Sequence, residues 1–298
     1  MPYIITHHDA DGVLCAATLM KAYRKKFWVY FTSPNRLLSA ICNAVLDSNG
    51  NDELYICDIC GNRKSIYCAG AFDRVVWLDH HVWEKLQVPE SIELVVDENA
   101  ASATGVVGKY TGVNDFVQIA DEIDTNAVVT ETADRMRSIT FAIKMLSQKP
   151  DVYRNLYGLA EGLANKGLGF VYSPAFDEMI AKYNILLTAG VNDALATKKV
   201  FDLGNLRVAT LKIGENIPVA PVFNQIAPDA LDIIVFVAER TDGTGTITKL
   251  EFRTQTEHDV LSAAKAFGGG GHAYASGATV YGKLDEDTII EKIRKAYG

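Results

Sequence analysis

Up to about residue 125 the chain alternates short apolar runs with stretches that have the periodicity of amphipathic helices. This alternation is typical of βαβ units, in which parallel strands form a doubly wound sheet covered by helices. After the first apolar run, Val13, Ala16 and Met20 fall on one face of such a helix. The predicted strands are 3–6, 27–31, 54–57, 74–78 and 92–96. We therefore predict an α/β fold whose N-terminal sheet is mostly parallel.

The second half of the chain has a different pattern. Residues 134–199 are rich in Ala and Leu and predict a helical connector. Apolar runs then return, and the predicted elements are strands 206–212, 232–238, 246–253 and 276–281 and helices 257–267 and 285–297. We therefore predict a catalytic domain with its connector over residues 1–190, a smaller α/β domain over 200–298, and a cleft between them.

Length and charge narrow the function classes. A chain of 298 residues exceeds what one hydrophobic core usually serves, which favours two domains. The formal net charge of −8 argues against broad binding of long duplex nucleic acid, which rewards basic surfaces. Because the sequence contains neither a signal peptide pattern nor an apolar run of membrane-spanning length, we expect a cytoplasmic protein with no membrane partner. A homodimer is compatible with these features.

Acidic residues and histidines collect behind three of the predicted strands. The first strand runs into His7, Asp9 and Asp11, the third ends at Asp58, and the fourth ends at Asp79, His80 and His81. If these strands are parallel neighbours, all these side chains lie in the crevice at the carboxyl end of the sheet. Taken singly, each has an ordinary explanation, because an aspartate after a strand is most often a helix cap or turn residue.

Several carboxylates in one crevice would raise each other's pKa and weaken the fold unless cations lie between them. Histidine and carboxylate ligands without thiolates suit Mn²⁺, Mg²⁺, Fe²⁺ or Co²⁺, and five or more ligands suffice for two ions. Two such ions are the usual device for activating water against a phosphoryl group. We therefore predict a site for two divalent ions.

A second candidate site follows the helix predicted over 257–267. Four successive glycines end at Gly269, Gly270 and Gly271 and are followed by His272. Glycines let backbone N–H groups approach an anion closely, although a flexible hinge is the alternative explanation. Arg253 at the end of a predicted strand can bind phosphate with two parallel hydrogen bonds, whereas an isolated arginine there is more often an edge residue.

These motifs, in this order, resemble the DHH superfamily of phosphoesterases. Asp79-His80-His81 is similar to the family signature, and the segment from Leu250 to Gly277 is similar to the C-terminal DHH-associated domain with its GGGGH loop. The resemblance extends to stand-alone members that act as oligoribonucleases or phosphoadenosine-phosphate phosphatases. It implies a dimanganese centre, with Mg²⁺ or Co²⁺ as alternatives.

The resemblance also implies roles for individual residues. Asp79, His80 and His81 are the implied catalytic residues. The implied metal ligands are His7, Asp9, Asp11, Asp58, Asp79, His80 and Asp124, with Asp58 as the bridge and Asp121 as the alternative to Asp124. The implied substrate-binding residues are His81, Arg253, Gly269, Gly270, Gly271 and His272. Many members have a histidine where this chain has Ile5, so the implied role of His7 follows the subgroup whose first histidine lies two residues before the first aspartate.

We therefore expect a Mn²⁺-dependent phosphoesterase that hydrolyses short oligonucleotides or small nucleotides: RNA of two to five nucleotides, linear dinucleotides or phosphoadenosine phosphate. The alternatives are a single-strand-specific exonuclease, a polyphosphatase or pyrophosphatase, and a catalytically silent nucleotide-binding regulator. The exonuclease would usually need additional basic and aromatic nucleic-acid-binding modules, for which the sequence shows no pattern.

Overall fold

The computed structural model describes residues 1–48, 52–214, 216–226, 231–242 and 245–298. The chain divides into two compact units, unit 1 over Met1–Tyr183 and unit 2 over Asn184–Gly298. The division falls within one long helix, Pro174–Ala196. No helix in these described ranges combines the length and apolar character needed to cross a membrane.

Unit 1 is built on a five-stranded sheet in which all neighbouring strands are parallel. Its strands are β1 Tyr3–His7, β2 Trp28–Thr32, β3 Glu53–Cys57, β4 Arg74–Asp79 and β5 Ile92–Val96, in the order β2-β1-β3-β4-β5. The helices are α1 Ala10–Tyr23, α2 Leu37–Asp47, α3 Arg63–Ala69, α4 Ala103–Thr111, α5 Val117–Asp124, α6 Glu131–Leu146, α7 Lys149–Lys166 and α8 Pro174–Ala196, the last of which continues into unit 2. Short 3₁₀ turns lie at Pro34–Arg36 and Leu168–Tyr172.

Both faces of this sheet are buried, as expected of a parallel sheet. Alternate strand residues point to opposite faces, so Ile4 and Val76 join a core that includes residues of α1 and α4. Ile5 and Trp77 join a second core with residues of α2 and α3. This arrangement confirms the predicted fold class for the N-terminal part of the chain.

Unit 2 contains a six-stranded mixed sheet in the order β10-β11-β9-β8-β7-β6. Its strands are β6 Lys199–Leu203, β7 Leu206–Lys212, β8 Ile233–Asp242, β9 Gly245–Arg253, β10 Gly270–Gly271 and β11 Ala275–Tyr281, and its further helices are α9 Val219–Phe223, α10 Leu261–Lys265 and α11 Glu286–Tyr297. Among the strands described for this unit, β7 and β8 alone are parallel neighbours. The predicted second α/β domain is therefore present.

Four elements of unit 2 differ from the sequence prediction: β6, α9 and β10 were not predicted, and α10 is shorter than predicted. β6 lies at an edge of the sheet, and because its residues are only partly buried or exposed, no apolar run marks it in the sequence. The helix predicted over 257–267 shortens to α10. The Asp259 carboxylate accepts a hydrogen bond from the Leu261 N–H at 2.8 Å, and such side-chain bonds compete with helix formation.

Candidate metal centre

Three neighbouring strands of unit 1 bring the predicted side chains together. β1, β3 and β4 lie side by side, and their carboxyl ends carry His7, Asp58 and Asp79. The chain leaves β1 towards β2 on one side and returns to β3 on the other, so the order of strands reverses at β1. In open α/β sheets the ligand crevice lies at such a switch point.

His7, Asp9 and Asp58 form the first group of metal-ligating side chains, with one ligand atom of each within 4.8 Å of the others. His7 Nδ1 lies 2.5 Å from Asp9 Oδ2 and 3.8 Å from Asp58 Oδ2. The other Asp9 oxygen accepts the Gly12 N–H at 3.0 Å and so caps α1. Gly12 is required here, because a Cβ at this position would lie 2.1 Å from the carbonyl oxygen of His7.

Asp11, His80 and Asp124 form a second group with the same spacing. His80 Nε2 lies 3.4 Å from Asp124 Oδ2 and 3.8 Å from Asp58 Oδ1. The opposite ring nitrogen, Nδ1, donates to the Ala100 carbonyl at 3.2 Å. Because this bond places the proton on Nδ1 of the neutral ring, Nε2 keeps the lone pair that a metal ion requires.

Asp58 lies between the two groups, with Oδ2 directed at His7 and Oδ1 at His80. Its backbone has φ of 58°, a left-handed conformation that is uncommon outside glycine, asparagine and aspartate. The buried Oδ2 has no hydrogen-bond partner among the described residues. A buried carboxylate oxygen in this state is costly, and a cation would satisfy it.

The electrostatics of the cluster point the same way. Burial, together with the charges of Asp124 and Asp9, raises the pKa of Asp11 to about 7. Burial and the charges of Asp9, Asp11 and Asp124 raise the pKa of Asp58 as well. For Asp9, burial opposes ionisation, but the adjacent His7 outweighs it and holds the pKa below its usual range. Raised pKa values among neighbouring carboxyl groups, as at Asp11 and Asp58, are expected in a site that binds cations.

Backbone amides hold Asp11 in place. Its two carboxylate oxygens accept hydrogen bonds from the N–H groups of Ala103 and Thr104 at 2.7 and 2.9 Å. Both donors belong to the first turn of α4, whose N-terminus favours negative charge. These hydrogen bonds to Asp11 were not predicted from the sequence. The run of small residues from Asn99 to Gly105 is the sequence feature that could have indicated them.

Asp79 is placed differently from the other predicted ligands. It is fully buried, and its oxygens accept hydrogen bonds from the His81 ring, the Trp83 indole and the His80 backbone. It belongs to neither group of ligand atoms described above, and protein donors already occupy the carboxylate. The geometry makes Asp79 the residue that orients His81, and its implied role as a metal ligand stays a prediction.

His81 is half-exposed and is held through one ring nitrogen. Its Nδ1 donates to Asp79 Oδ1 at 2.7 Å, and the side chain is 49 % exposed. The hydrogen bond with Asp79, against the opposing effect of burial, raises the pKa of His81. His81 also comes within 4.8 Å of ligand atoms of Asp58 and His80. It is thus the member of the cluster best placed to donate a proton to a bound molecule.

The two acidic candidates on α5 have different environments. Asp124 lies with Asp11 and His80, whereas Asp121 accepts a hydrogen bond from the Ser102 hydroxyl at 2.5 Å. Ser102 in turn caps α4 by accepting the Gly105 N–H. Asp121 therefore supports a helix terminus, and Asp124 is the acid of α5 that the structure brings to the cluster.

Two of the substrate-binding candidates of unit 2, Arg253 and His272, lie in one row across its sheet. Arg253 of β9 is opposite Ala275 of β11, whose carbonyl accepts the His272 N–H at 2.8 Å. Arg253 also donates to Glu251 at 3.0 Å and to the Phe252 carbonyl at 2.9 Å. Its planar guanidinium still has further donors for an anion.

Packing requires glycine at some positions of the glycine run but not at others. A Cβ at Gly269 would lie 2.1 Å from the Gly277 carbonyl oxygen, so packing against β11 requires glycine there. Gly271 is similarly crowded and has φ of 133°. Gly270 has open space around its Cβ position. Among these three positions, only the glycine at Gly270 lacks a packing reason.

Residues 213–298 match the DHHA1 domain family. No curated protein sequence matches the chain.

Several solved structures share the fold along nearly the whole chain. The pGpG-specific phosphodiesterase PggH from Vibrio cholerae is 14 % identical, with a TM-score of 0.63 over 99 % of this chain and 98 % of its own. RecJ from Thermus thermophilus, solved with Mn²⁺, is 15 % identical, with a TM-score of 0.65 over 99 % of this chain but 51 % of its own. An exopolyphosphatase-related protein from Bacteroides fragilis is 14 % identical, with a TM-score of 0.52 over 99 % of this chain and 91 % of its own.

The DHHA1 match lies in the C-terminal part of the chain, where the sequence resembles the DHH-associated domain. At these identities the likeness describes the fold, and the sequence match describes the C-terminal part. The chain carries a DHHA1 domain over residues 213–298 and shares the fold of PggH and RecJ.

Proposed function

We propose that this chain is a metal-dependent hydrolase of phosphoester bonds in short oligonucleotides and small nucleotides. His7, Asp9 and Asp58 would hold one divalent ion, and Asp11, Asp58, His80 and Asp124 a second. The carboxylate and imidazole ligands fit Mn²⁺, Mg²⁺ or Co²⁺.

The position of Asp58 carries this proposal. One carboxylate oxygen lies 3.8 Å from His7 Nδ1 and the other 3.8 Å from His80 Nε2, so a single buried residue can serve both groups. A carboxylate shared in this way is typical of two-metal sites. When bound, two such ions activate water and neutralise the charge of a phosphoryl group.

The chain's own residues supply the remaining chemistry. His81, held by Asp79 and half-exposed, can donate a proton or hydrogen bond to the oxygen of the leaving group. Ala100 and the first turn of α4 keep His80 and Asp11 in fixed orientations. Such support from a second layer of residues maintains ligand geometry and reduces the reorganisation that catalysis requires.

The substrate class rests on two supports. This chain covers 98 % of PggH, named as a pGpG-specific phosphodiesterase, but only 51 % of RecJ. In unit 2, the Arg253 guanidinium suits phosphate oxygens. Linear dinucleotides, RNA of two to five nucleotides and phosphoadenosine phosphate are therefore the substrates we propose first.

One experiment compares metals and substrates together. Purified protein is assayed with Mn²⁺, Mg²⁺ or Co²⁺ against 5′-labelled RNA from 2 to 24 nucleotides, linear diadenylate, phosphoadenosine phosphate, polyphosphate and long single-stranded DNA. We expect hydrolysis to require a divalent ion and to be fastest for the dinucleotides or phosphoadenosine phosphate.

Other outcomes would contradict the proposal. Cleavage of long single-stranded DNA as fast as a dinucleotide would favour an exonuclease. Faster hydrolysis of polyphosphate than of any nucleotide would favour a polyphosphatase. Binding of nucleotides without hydrolysis under any metal would favour a regulatory protein.

A further inference from the structure

The loop after the glycine run carries two stacked aromatic rings. The rings of His272 and Tyr274 have centroids 5.5 Å apart and planes only 7° from parallel. Tyr274 is 67 % exposed, and His272 is exposed as well. Since His272 covers one face of the tyrosine ring, the opposite face is the one that solvent or a ligand can reach.

The loop holds this pair in a fixed geometry. The backbone N–H of His272 donates to the Ala275 carbonyl at 2.8 Å, and the N–H of Ala275 donates back to the His272 carbonyl at 3.2 Å. The Ser276 hydroxyl donates to the same His272 carbonyl at 2.6 Å, and the Val260 N–H donates to the Ala273 carbonyl at 2.7 Å. Each bond restricts the loop, so little conformational entropy remains to be lost when a flat ligand stacks on it.

Arg253 lies in the same row of the sheet, because it pairs with Ala275 and Ala275 pairs with His272. With strands about 4.8 Å apart, the backbone of Arg253 is roughly 10 Å from that of His272. A guanidinium and an aromatic stack in the same row of a sheet can contact a phosphate and a base of one nucleotide. An isolated exposed tyrosine needs no functional explanation. An exposed tyrosine stacked on a histidine, with an arginine in the same row of the sheet, indicates a binding surface.

We propose that Tyr274 is a stacking platform for a nucleobase of the substrate, with the base on the ring face opposite His272. The proposal rests on the proposed function and narrows it, because it requires a base-bearing substrate and excludes phosphate chains without bases. Stacking is tolerant of base identity, since every base has a π-face. The platform therefore selects for nucleotides without selecting one sequence.

The test compares ligands with and without bases. The probes are a non-hydrolysable linear diadenylate, with methylene in place of the bridging oxygen of the scissile bond, and the same molecule with both sites abasic. Their dissociation constants are measured by calorimetry on Mn²⁺-loaded wild type, Tyr274→Ala and Tyr274→Phe. Tyr281→Ala is the matched control, because Tyr281 is 86 % exposed on β11 in the same sheet.

We expect Tyr274→Ala to weaken binding of the diadenylate probe about 5- to 150-fold, the range that loss of one stacked base implies. Binding of the abasic probe should change less than about twofold. Tyr274→Phe retains the ring and should remain within about twofold of wild type for both probes. Tyr281→Ala should bind like wild type.

Three results would overturn the platform. The first is equal weakening of both probes by Tyr274→Ala, which would reduce Tyr274 to a support for His272. The second is unchanged binding of the diadenylate probe, and the third is failure of wild type to prefer that probe over the abasic one. Because these measurements need no turnover, the platform fails or survives independently of whether the protein hydrolyses phosphoesters.

Discussion

Asp79 and His81 act as one unit at the end of β4. The carboxylate has no access to solvent and is satisfied by the Trp83 indole and the His81 ring. A neighbouring negative charge favours the protonated imidazole, so His81 remains a proton donor to higher pH than a free histidine would. In the proposed mechanism, Asp79 contributes to catalysis through His81.

Replacing the charge of Asp79 should therefore change the pH profile. Asp79→Asn keeps an acceptor for Trp83 but removes the charge that raises the pKa of His81. The alkaline limb of kcat should move to lower pH, because His81 loses its proton earlier. The measurement is kcat between about pH 5.5 and 9.5, with His81→Gln as the control that removes the titrating group. An alkaline limb identical to wild type would exclude this role.

The sequence predicted many of the residues of the cluster, but it did not predict which of them orient other side chains. His7, Asp9, Asp11 and Asp58 follow apolar strands, and position alone marks them. The role of Asp79 depends on an indole four residues later that folds back onto it, at 2.7 Å. No periodicity predicts such a contact, because it is set by how the loop after β4 closes.

At the scale of elements, the close approach of the glycine run to β11 requires glycine at position 269 but not at position 270. A side chain at Gly269 would collide with the Gly277 carbonyl and with Ala278, whereas Gly270 has space. Gly269 therefore stabilises the sheet edge, and Gly270 leaves its backbone accessible.

Two alanine substitutions should separate these effects. Gly269→Ala should lower the free energy of unfolding of unit 2 by about 1–3 kcal/mol, the usual cost of overpacking. Gly270→Ala should leave it within about 1 kcal/mol. Urea denaturation followed by circular dichroism measures both variants. Equal stability of the two would show that β10 can move away from β11 without cost.

The strands of both units could largely be predicted because buried strands leave apolar runs, as at Ile4-Ile5 and Val75-Val76. β6 could not, since Lys199 and Val200 are exposed at the sheet edge and the strand is specified by its partner β7. The requirement for glycine at Gly269 could not be predicted from the sequence either. It arises from a strand that follows in the chain, and the sequence shows only a flexible run.

At the scale of the whole molecule, the cluster couples stability to pH. Asp11 has a pKa of about 7 in the folded chain against an ordinary 3.8. The folded state therefore binds more protons than the unfolded state between these values, and the stability of the metal-free chain rises as pH falls through 7. Asp58 and Asp124, whose pKa values burial also raises, act in the same direction.

Thermal unfolding in a chelator should show this dependence. We expect Tm of the metal-free chain to be several degrees higher at about pH 6 than at about pH 8. Mn²⁺ should raise Tm most at the higher pH, because it replaces protons as the counter-charge. Asp124→Asn should reduce the difference between the two pH values. A metal-free Tm that falls on acidification over this range would contradict the predicted ionisation of the cluster.

In the proposed centre, two divalent ions share Asp58. The direct measurement is the number of Mn²⁺ ions bound per chain, by inductively coupled plasma mass spectrometry after dialysis, with hydrolysis of linear diadenylate assayed on the same samples. Asp58→Asn is the test variant because asparagine tolerates φ of 58°, and Asp73→Asn, at an exposed position, is the control.

We predict two ions for wild type and for Asp73→Asn. Asp58→Asn should retain at most one ion and lose hydrolysis by more than about 100-fold, the upper end of what removing a supporting residue costs. Two bound ions and full hydrolysis in Asp58→Asn, or no bound Mn²⁺ in wild type, would contradict the shared-carboxylate centre.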